Sequence, residues 1–217
     1  MHHKSRIFIV DDHPIFRKGL GQLINEENDM IVCGEAEEVN EARRAIEQTE
    51  PDMVIVDITL KDKSGLELIK YLHDEYEDIP ALVISMHDES LYAERALKSG
   101  ARGYIMKEEM TTNVIHAIRH VLQGKIYASD NVINTLLGKL GSKSELSSNP
   151  VESLSDRELE VFQLIGKGFG RKEIADILGV SVKTIGSYRE IIKRKLNLKN
   201  APELMKRAIE WRNTSGR

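Results

Sequence analysis

The sequence predicts an α/β fold, a doubly wound five-stranded parallel sheet, followed by a small all-α domain that carries a helix-turn-helix. Three observations predict it. Short Val- and Ile-rich runs alternate five times with amphipathic stretches over residues 4–125. A Ser-rich stretch with no apolar periodicity follows, GSKSELSSNP at Gly141–Pro150. From Leu154 onward every apolar pattern has helical spacing.

The strand-like runs are Ile7–Val10, Met30–Cys33, Met53–Val56, Ala81–Ile84 and Gly103–Met106. Each is short and nearly continuously apolar, as strands buried on both faces of a parallel sheet must be. Helical patterns lie between and after them at Pro14–Glu26, Val39–Gln48, Ser64–Glu75, Glu89–Lys98 and Met110–Gln123. Ser64 with Glu67 reads as a capping box opening the third. A further helix at Ser129–Leu140 leads into the Ser-rich linker, so 126–153 reads as a linker segment with one helix. Its length would let two domains, 4–125 and 154–213, change their relative position.

In the C-terminal part, Ser155 and Glu158 form a second capping box before Leu159, Val161, Phe162, Leu164 and Ile165. Gly166 and Gly168 break that helix, and a short one follows at Arg171–Leu178. After Gly179, Ser181 caps a longer helix running to about Leu196. The last helix, Ala201–Trp211, carries Leu204, Met205, Ala208, Ile209 and Trp211.

Composition excludes several classes. At 217 residues, with 41% hydrophobic and 30% charged residues, the chain has the make-up of a core-forming protein rather than a disordered one. No run approaches the roughly 20 apolar residues of a membrane span, and the acidic residues of MHHKSRIFIVDDH argue against a secretory signal. The single cysteine, Cys33, excludes a disulfide framework and a thiolate zinc site, so a reducing, cytoplasmic location is expected. The net charge of −4 conceals an asymmetry. Residues 151–217 hold 14 Lys and Arg against 9 Asp and Glu, while residues 1–150 hold 17 against 26. One half repels polyanions and the other attracts them.

In an open α/β sheet, functional residues gather at the carboxyl ends of the strands. Here the first strand runs into Asp11 and Asp12, the third into Asp57, the fourth into Ser85 and the fifth into Lys107. A lone Asp at a strand end is more often a turn former or helix cap, and a lone Tyr104 more often core. The pattern across four strands is harder to attribute to chance. Three clustered carboxylates raise one another's pKa unless a cation neutralises them, and hard oxygen ligands suit Mg²⁺. One carboxylate can then act as nucleophile towards phosphorus, with Lys107 and the Ser85 hydroxyl available to a phosphoryl group.

The segments FIVDDH, VIVDITL, VISMHDE and GYIMK together resemble the receiver domain of a two-component response regulator. The resemblance implies a flavodoxin-like strand order, 2-1-3-4-5, and phosphorylation of Asp57 by a sensor histidine kinase. It also implies Mg²⁺ on Asp12, Asp57 and the backbone carbonyl of Thr59, with Asp11 acting largely through water. Ser85 and Lys107 would bind the phosphoryl group, and Tyr104 holds the aromatic switch position, expected to turn inward after phosphorylation. Two positions depart from the family pattern. Lys61 stands where Pro commonly follows four residues after the phosphoacceptor, and Glu108 stands where Pro often follows the lysine. A trans Lys107–Glu108 bond is expected, because a non-proline cis bond costs roughly 2.5–4 kcal/mol.

RKEIADILGVSVKTIGSYREIIKRKL reads as a helix-turn-helix. On its second helix Ile185, Tyr188, Ile192 and Leu196 share a packing face; the other face offers Lys183, Gly186, Ser187, Glu190 and Arg194. Arg189, Lys193 and Lys195 lie beside it and suit phosphate contact, although Lys193–Lys195 equally suits a solvated helix end favoured by the dipole. LSDRELEVFQLIGKG and SVKTIGSYREIIKRKLNLKN resemble the DNA-binding domain of the LuxR-type NarL/FixJ regulators. That implies double-stranded DNA as a partner, with Lys183, Thr184, Tyr188, Arg189 and Lys193 on its backbone. Gly186, Ser187 and Glu190 would face base edges, and the last helix would contribute to a homodimer on DNA.

Two rival readings remain. A Mg²⁺-dependent phosphohydrolase working through an aspartyl phosphate would resemble the haloacid dehalogenases, but these want a second Asp where Thr59 stands. A DNA-binding regulator indifferent to phosphorylation would leave the five-residue site without a purpose. Weaker signals are a surface His116–His120 pair, and His2 and His3, which fit a native pair or an added tag equally. No glycine-rich nucleotide loop occurs, so ATP is not expected as the immediate phosphodonor.

Overall fold

Five apolar runs become five parallel strands in the computed structural model, which describes residues 4–61, 63–76, 78–86, 89–141 and 150–215. The chain divides into two compact units, residues 1–142 and 143–217. His2, His3 and residues 142–149 of the expected linker lie outside the described residues.

The first unit alternates β1 (Ser5–Val10), α1 (Pro14–Glu26), β2 (Met30–Ala36), α2 (Val39–Thr49), β3 (Met53–Val56), α3 (Gly65–Glu75), β4 (Ala81–Ser85), α4 (Glu89–Lys98), β5 (Gly103–Met106) and α5 (Met110–Leu122). The strand order is β2-β1-β3-β4-β5, with every pair parallel. Every residue of β3 and β4 is buried. Alternation along each strand divides them between two faces. Ile7, Ile9, Met53, Ile55, Leu82, Ile84 and Ile105 join one cluster with Leu20 and Ile24 of α1 and Val114 and Ile118 of α5. Each such side chain contributes about 1.5–3 kcal/mol by leaving water. A slip of one residue would send the whole set to the other face, so the register is well determined.

β2 runs three residues past its expected end, to Ala36. Gly34 allows it: a Cβ there would lie 2.5 Å from the Phe8 ring, so only glycine lets that ring pack against the strand. Ser64 caps α3, its Oγ accepting from the Leu66 N–H at 3.3 Å. Glu67, the expected partner in a capping box, instead lies 3.9 Å from Lys63.

Gly65 is the tightest point of the fold. Its N–H donates to the Ile58 carbonyl at 2.8 Å, and an added Cβ would lie 1.9 Å from the Asp57 backbone oxygen. Gly65→Ala must push α3 away from the end of β3. We expect a loss on the order of 1–3 kcal/mol, read as a lower denaturant midpoint; an unchanged midpoint would mean the backbone yields freely here.

After α5 the chain passes Gly124 (φ +77) and returns along the edge of β5. The Tyr127 N–H donates to the Arg102 carbonyl at 2.9 Å, and the Tyr104 N–H donates to the Tyr127 carbonyl at 2.8 Å. This covers an otherwise open sheet edge. The Ser129 N–H then donates to Glu89 Oε1 at 3.0 Å, and α6 (Asp130–Gly141) packs on α4.

The second unit is helical: a 3₁₀ turn at Pro150–Ser153, then α7 (Asp156–Gly166), α8 (Arg171–Ile177), α9 (Val182–Lys195) and α10 (Ala201–Ser215). The Ser155–Glu158 capping box forms in both directions, at 3.4 and 2.8 Å. α10 crosses α7 closely, so that a Cβ on Gly166 would lie 2.7 Å from the Ala208 carbonyl oxygen. Beside that crossing the Phe162 and Trp211 rings sit 5.7 Å apart. The apolar stripe expected on the last helix therefore divides. Leu204, Ala208 and Trp211 are buried, while Met205 and Ile209 are exposed.

Candidate functional site

The ends of neighbouring strands bring the aspartates together. The Asp57 N–H donates to the Val10 carbonyl at 2.8 Å, and the Asp11 N–H donates to the Ala36 carbonyl at 3.1 Å. The end of β5 lies two strands from that of β3, about 10 Å away, and the long side chain of Lys107 spans the gap. Its Nζ lies 2.6 Å from Asp57 Oδ2 and 2.7 Å from Asp11 Oδ2, and 4.3 Å from the centre of the Phe16 ring. The Thr59 N–H donates to the other oxygen, Asp57 Oδ1, at 3.3 Å. Ser85, the last residue of β4, is wholly buried on the same edge of the sheet.

Sequence reasoning missed His13. Its Nδ1 lies 2.7 Å from Asp12 Oδ1 and 3.3 Å from Asp11 Oδ1, and its backbone N–H donates to Asp11 Oδ1 at 2.8 Å. Ligand atoms of Asp11, Asp12, His13 and Asp57 all lie within 4.8 Å of one another. The signal was present in Asp-Asp-His, but a histidine so close to two aspartates is as easily a helix-entry residue. The short approach of His13 to Asp12 lacks hydrogen-bonding geometry, so Asp12 Oδ1 is buried with no hydrogen-bond partner among the described residues.

Burial dominates the electrostatics. It pushes the Asp57 carboxyl up to about 6, against the attraction of Lys107 and with help from Asp11. For Lys107 burial is again the largest influence and acts downward. Asp57 and Asp11 together outweigh it and hold the ammonium above its usual range. The site thus keeps one fixed cation beside three carboxylates. An all-oxygen donor set with one adjacent imidazole fits a hard divalent ion.

Tyr104 is buried, at 1% exposure. The Lys107–Glu108 peptide is trans, as expected, and so is every peptide bond among the described residues. Lys61 is engaged beside the site, its Nζ 2.6 Å from Glu37 Oε2. This hydrogen bond, then that of Arg17, holds the Glu37 carboxyl below the usual carboxylate range.

In the second unit, α8 and α9 meet through Gly179 (φ +63). Ser181 Oγ caps α9 by accepting from the Thr184 N–H at 3.0 Å. Ile185 and Ile192 are buried, whereas Lys183, Ser187 and Glu190 are exposed; space around Gly186 is open. Thr184, Tyr188 and Lys193 are half-buried, and Lys193 pairs with Glu190 at 2.9 Å. Arg189 does not lie beside the exposed basic residues. It falls four residues after Ile185 and three before Ile192, on the packing stripe, and is 8% exposed. Burial lowers its pKa, and Arg171 lowers it further. It makes no hydrogen bond among the described residues. Lys195 is tied down by its partners, 2.7 Å from Glu158 Oε2 and 3.1 Å from the Ser153 carbonyl oxygen.

A doubly wound unit with a carboxylate–lysine pocket, joined in one chain to a helix-turn-helix unit, defines a response regulator of a two-component system. Residues 7–119 match the response regulator receiver domain, and residues 152–208 match the bacterial regulatory proteins of the luxR family. The chain belongs to the NarL-type response regulators, a family of DNA-binding transcription regulators. It is similar to the oxygen regulatory protein NreC of Staphylococcus epidermidis RP62A, with 36% identity over 94% of this chain and 97% of that protein. It is also similar to RcsB of Salmonella enterica serovar Typhimurium bound to promoter rprA in the presence of the phosphomimetic BeF₃⁻. That match has 25% identity and a TM-score of 0.59, covering 94% of this chain and 98% of the other. A structure of two RcsB dimers bound to two parallel DNAs matches with 26% identity and a TM-score of 0.57, over 94% and 97% of the two chains. No helix among the described residues is long and apolar enough to cross a membrane.

Proposed function

We propose that Asp57 is the phosphoacceptor, that Mg²⁺ is the resident ion of the acidic cluster, and that phosphorylation controls DNA binding by the second unit. The observation that carries this is the Lys107 ammonium shared between Asp57 and Asp11 while the buried Asp12 Oδ1 goes without a hydrogen bond. Asp11, Asp12, Asp57 and the Thr59 carbonyl would hold Mg²⁺, which neutralises the carboxylates and the charge of the transferred group. An Asp57 carboxylate oxygen attacks phosphorus of a phosphohistidine on a sensor kinase. The P–N bond breaks with its electron pair going to the imidazole, and an acyl phosphate forms. Lys107 is then free to turn from the carboxylate to a phosphoryl oxygen, and the Ser85 hydroxyl donates to another. Thr59 in place of a second acid–base aspartate argues against turnover of small phosphoesters, so the protein is a regulator and not an enzyme.

The receiver domain is proposed to span residues 4–125 and the DNA-binding domain 154–213, with 126–153 as a linker containing α6. Two attachments bear on coupling. The linker's start pairs with the backbone of Tyr104, and its Ser129 is held by Glu89 at the head of α4. Tyr104 lies within β5, which leads to Lys107, and Glu89 opens the helix after β4, so a change in the pocket reaches the linker through both elements. On α9, Lys183, Thr184, Tyr188 and Lys193 take DNA phosphates, and Gly186, Ser187 and Glu190 face base edges. Arg189, desolvated and lacking a hydrogen bond, gains most from a phosphate oxygen. The exposed Met205 and Ile209 of α10 suit a second copy, giving a homodimer on double-stranded DNA. The location is cytoplasmic, where the kinase's phosphohistidine and DNA meet.

The test compares operator affinity of the full chain with and without beryllofluoride and Mg²⁺. Affinity should rise on addition; unchanged affinity and oligomeric state would overturn the coupling. Within the same assay, Lys183→Ala should weaken binding uniformly across DNA sequences. It should also reduce the slope of log K against log salt by about 1. An unchanged slope would remove Lys183 from the phosphate contacts.

A further inference from the structure

Beside the acidic pocket runs a chain of charged contacts that links three segments of the first unit. The Arg17 guanidinium on α1 uses all three of its nitrogens. Nη1 donates to the Asp11 backbone carbonyl at 2.6 Å, Nε to Glu35 Oε2 at 2.9 Å, and Nη2 to Glu37 Oε1 at 2.9 Å. The second oxygen of Glu37 accepts from Lys61 Nζ at 2.6 Å. Lys61 belongs to the β3–α3 connection, four residues after Asp57, while Glu35 and Glu37 lie at the end of β2 and just beyond it.

We propose that Arg17, Glu37 and Lys61 form a positioning relay that holds the Asp11–Asp12 turn against the Asp57 loop and thereby sets the affinity of the pocket for Mg²⁺. None of the three is a catalytic residue. Arg17 grips the peptide carbonyl between the two aspartates, so its hold fixes the orientation of both carboxylates relative to β1. Lys61 ties the loop carrying Thr59 to the same carboxylate that braces Arg17. The relay makes the two walls of the pocket, which come from different strands, move as one.

Exposure separates this role from a stabilising one. The side chains range from 12% exposed at Arg17 to 54% at Lys61. The Glu37–Lys61 pair, open to water on both sides, adds little to folding stability. Their geometry still matters to a metal pocket, because groups that orient the metal's ligands govern affinity strongly. A wide hydrogen-bonding fork is required at position 17: it must reach a carbonyl and two separate carboxylates, which a lysine ammonium cannot match.

The inference rests on the proposed Mg²⁺ site, and the experiment separates the two. Mg²⁺ binding to the full-length protein is measured by titration calorimetry for wild type, Arg17→Gln, Arg17→Lys, Glu37→Ala and Lys61→Met. Phosphorylation by acetyl phosphate at saturating Mg²⁺ is measured in parallel. Arg17→Gln should weaken Mg²⁺ binding by about tenfold. Glu37→Ala and Lys61→Met should weaken it less, Arg17→Lys should recover part of the loss, and the rate at saturating Mg²⁺ should stay near wild type in all. The relay is overturned if Glu37→Ala and Lys61→Met bind Mg²⁺ as tightly as wild type; these half-exposed or exposed positions decide the matter even if Arg17→Gln fails to fold. It is equally overturned if affinity is lost only in proportion to thermal stability measured in EDTA. Wild-type protein that binds Mg²⁺ yet takes up no phosphoryl group would refute the phosphoacceptor reading and leave the comparison of affinities valid. Wild-type protein that binds no Mg²⁺ refutes both.

Discussion

Replacing Asp57 by Asn abolishes uptake of a phosphoryl group from acetyl phosphate and Mg²⁺, whereas wild-type protein gains one such group by intact mass spectrometry. The amide nitrogen and oxygen of Asn keep the shape of the carboxylate but offer no anionic oxygen to attack phosphorus. The neighbouring carboxylates among the described residues are held differently. Asp11 is engaged by Lys107 and by the His13 N–H, and Asp12 belongs to the opposite wall of the pocket. The loss should therefore be complete rather than partial. DNA affinity of Asp57→Asn should no longer respond to acetyl phosphate. Retention of a phosphoryl group in the variant would move the acceptor to another residue. Full regulated activity without phosphorylation would instead favour a receiver that works as a plain interaction module.

Removing the ammonium of Lys107 should produce the largest stability change in the receiver unit. In Lys107→Met two carboxylates, Asp11 at 2% exposure and Asp57 at 3%, face each other without the shared cation. Breaking a buried pair in this way costs on the order of 3–5 kcal/mol when the remaining charge stays ionised. The sign with pH follows from the direction of the Asp57 shift. Its folded-state value is already raised, to about 6, from an ordinary 3.8, and loss of the opposing lysine raises it further. The native state then binds more protons than the unfolded chain between those values, so stability falls as pH rises through that window. The deficit relative to wild type should be greater at pH 8 than at pH 5 in EDTA, measured by denaturant unfolding. Mg²⁺ at a hundredfold excess over its dissociation constant returns about 2.7 kcal/mol. Equal stability of variant and wild type at pH 8 in EDTA would show that Lys107 is not the counter-ion of the cluster.

Much of this was legible before any coordinates. A doubly wound sheet places the residue after each strand on one edge, so Asp11, Asp12, Asp57, Ser85 and Lys107 could be grouped from strand ends alone. Capping at Ser155 and Ser181 was equally readable, because those bonds are local. Long-range geometry was not. Even locally, whether Glu67 answers the Ser64 N–H or turns to the Lys63 ammonium is a competition that spacing alone does not decide. The three-residue extension of β2 depends on Phe8, which is distant in sequence from Gly34.

Charge told where basic side chains occur on α9 and was silent about their direction. Arg189 and Lys195 look like neighbours of Lys193 in sequence, yet one sits in the packing stripe and the other is held by Glu158. His13, Arg17 and Glu37 were likewise invisible as parts of the pocket, because their importance lies in which atoms their side chains meet once the strand ends are folded together.

Periodicity and residue chemistry were enough to establish the layout of strands and helices, the acidic edge, and the contrast between an acidic and a basic half. These depend on neighbours within a few positions along the chain and on which side chains avoid water. Folding in three dimensions settled the rest: that Lys107 is shared by two aspartates, that Tyr104 is buried, that Arg17 grips the Asp11 carbonyl. Each depends on how side chains meet in three dimensions, and packing selects it from many arrangements that composition and spacing allow.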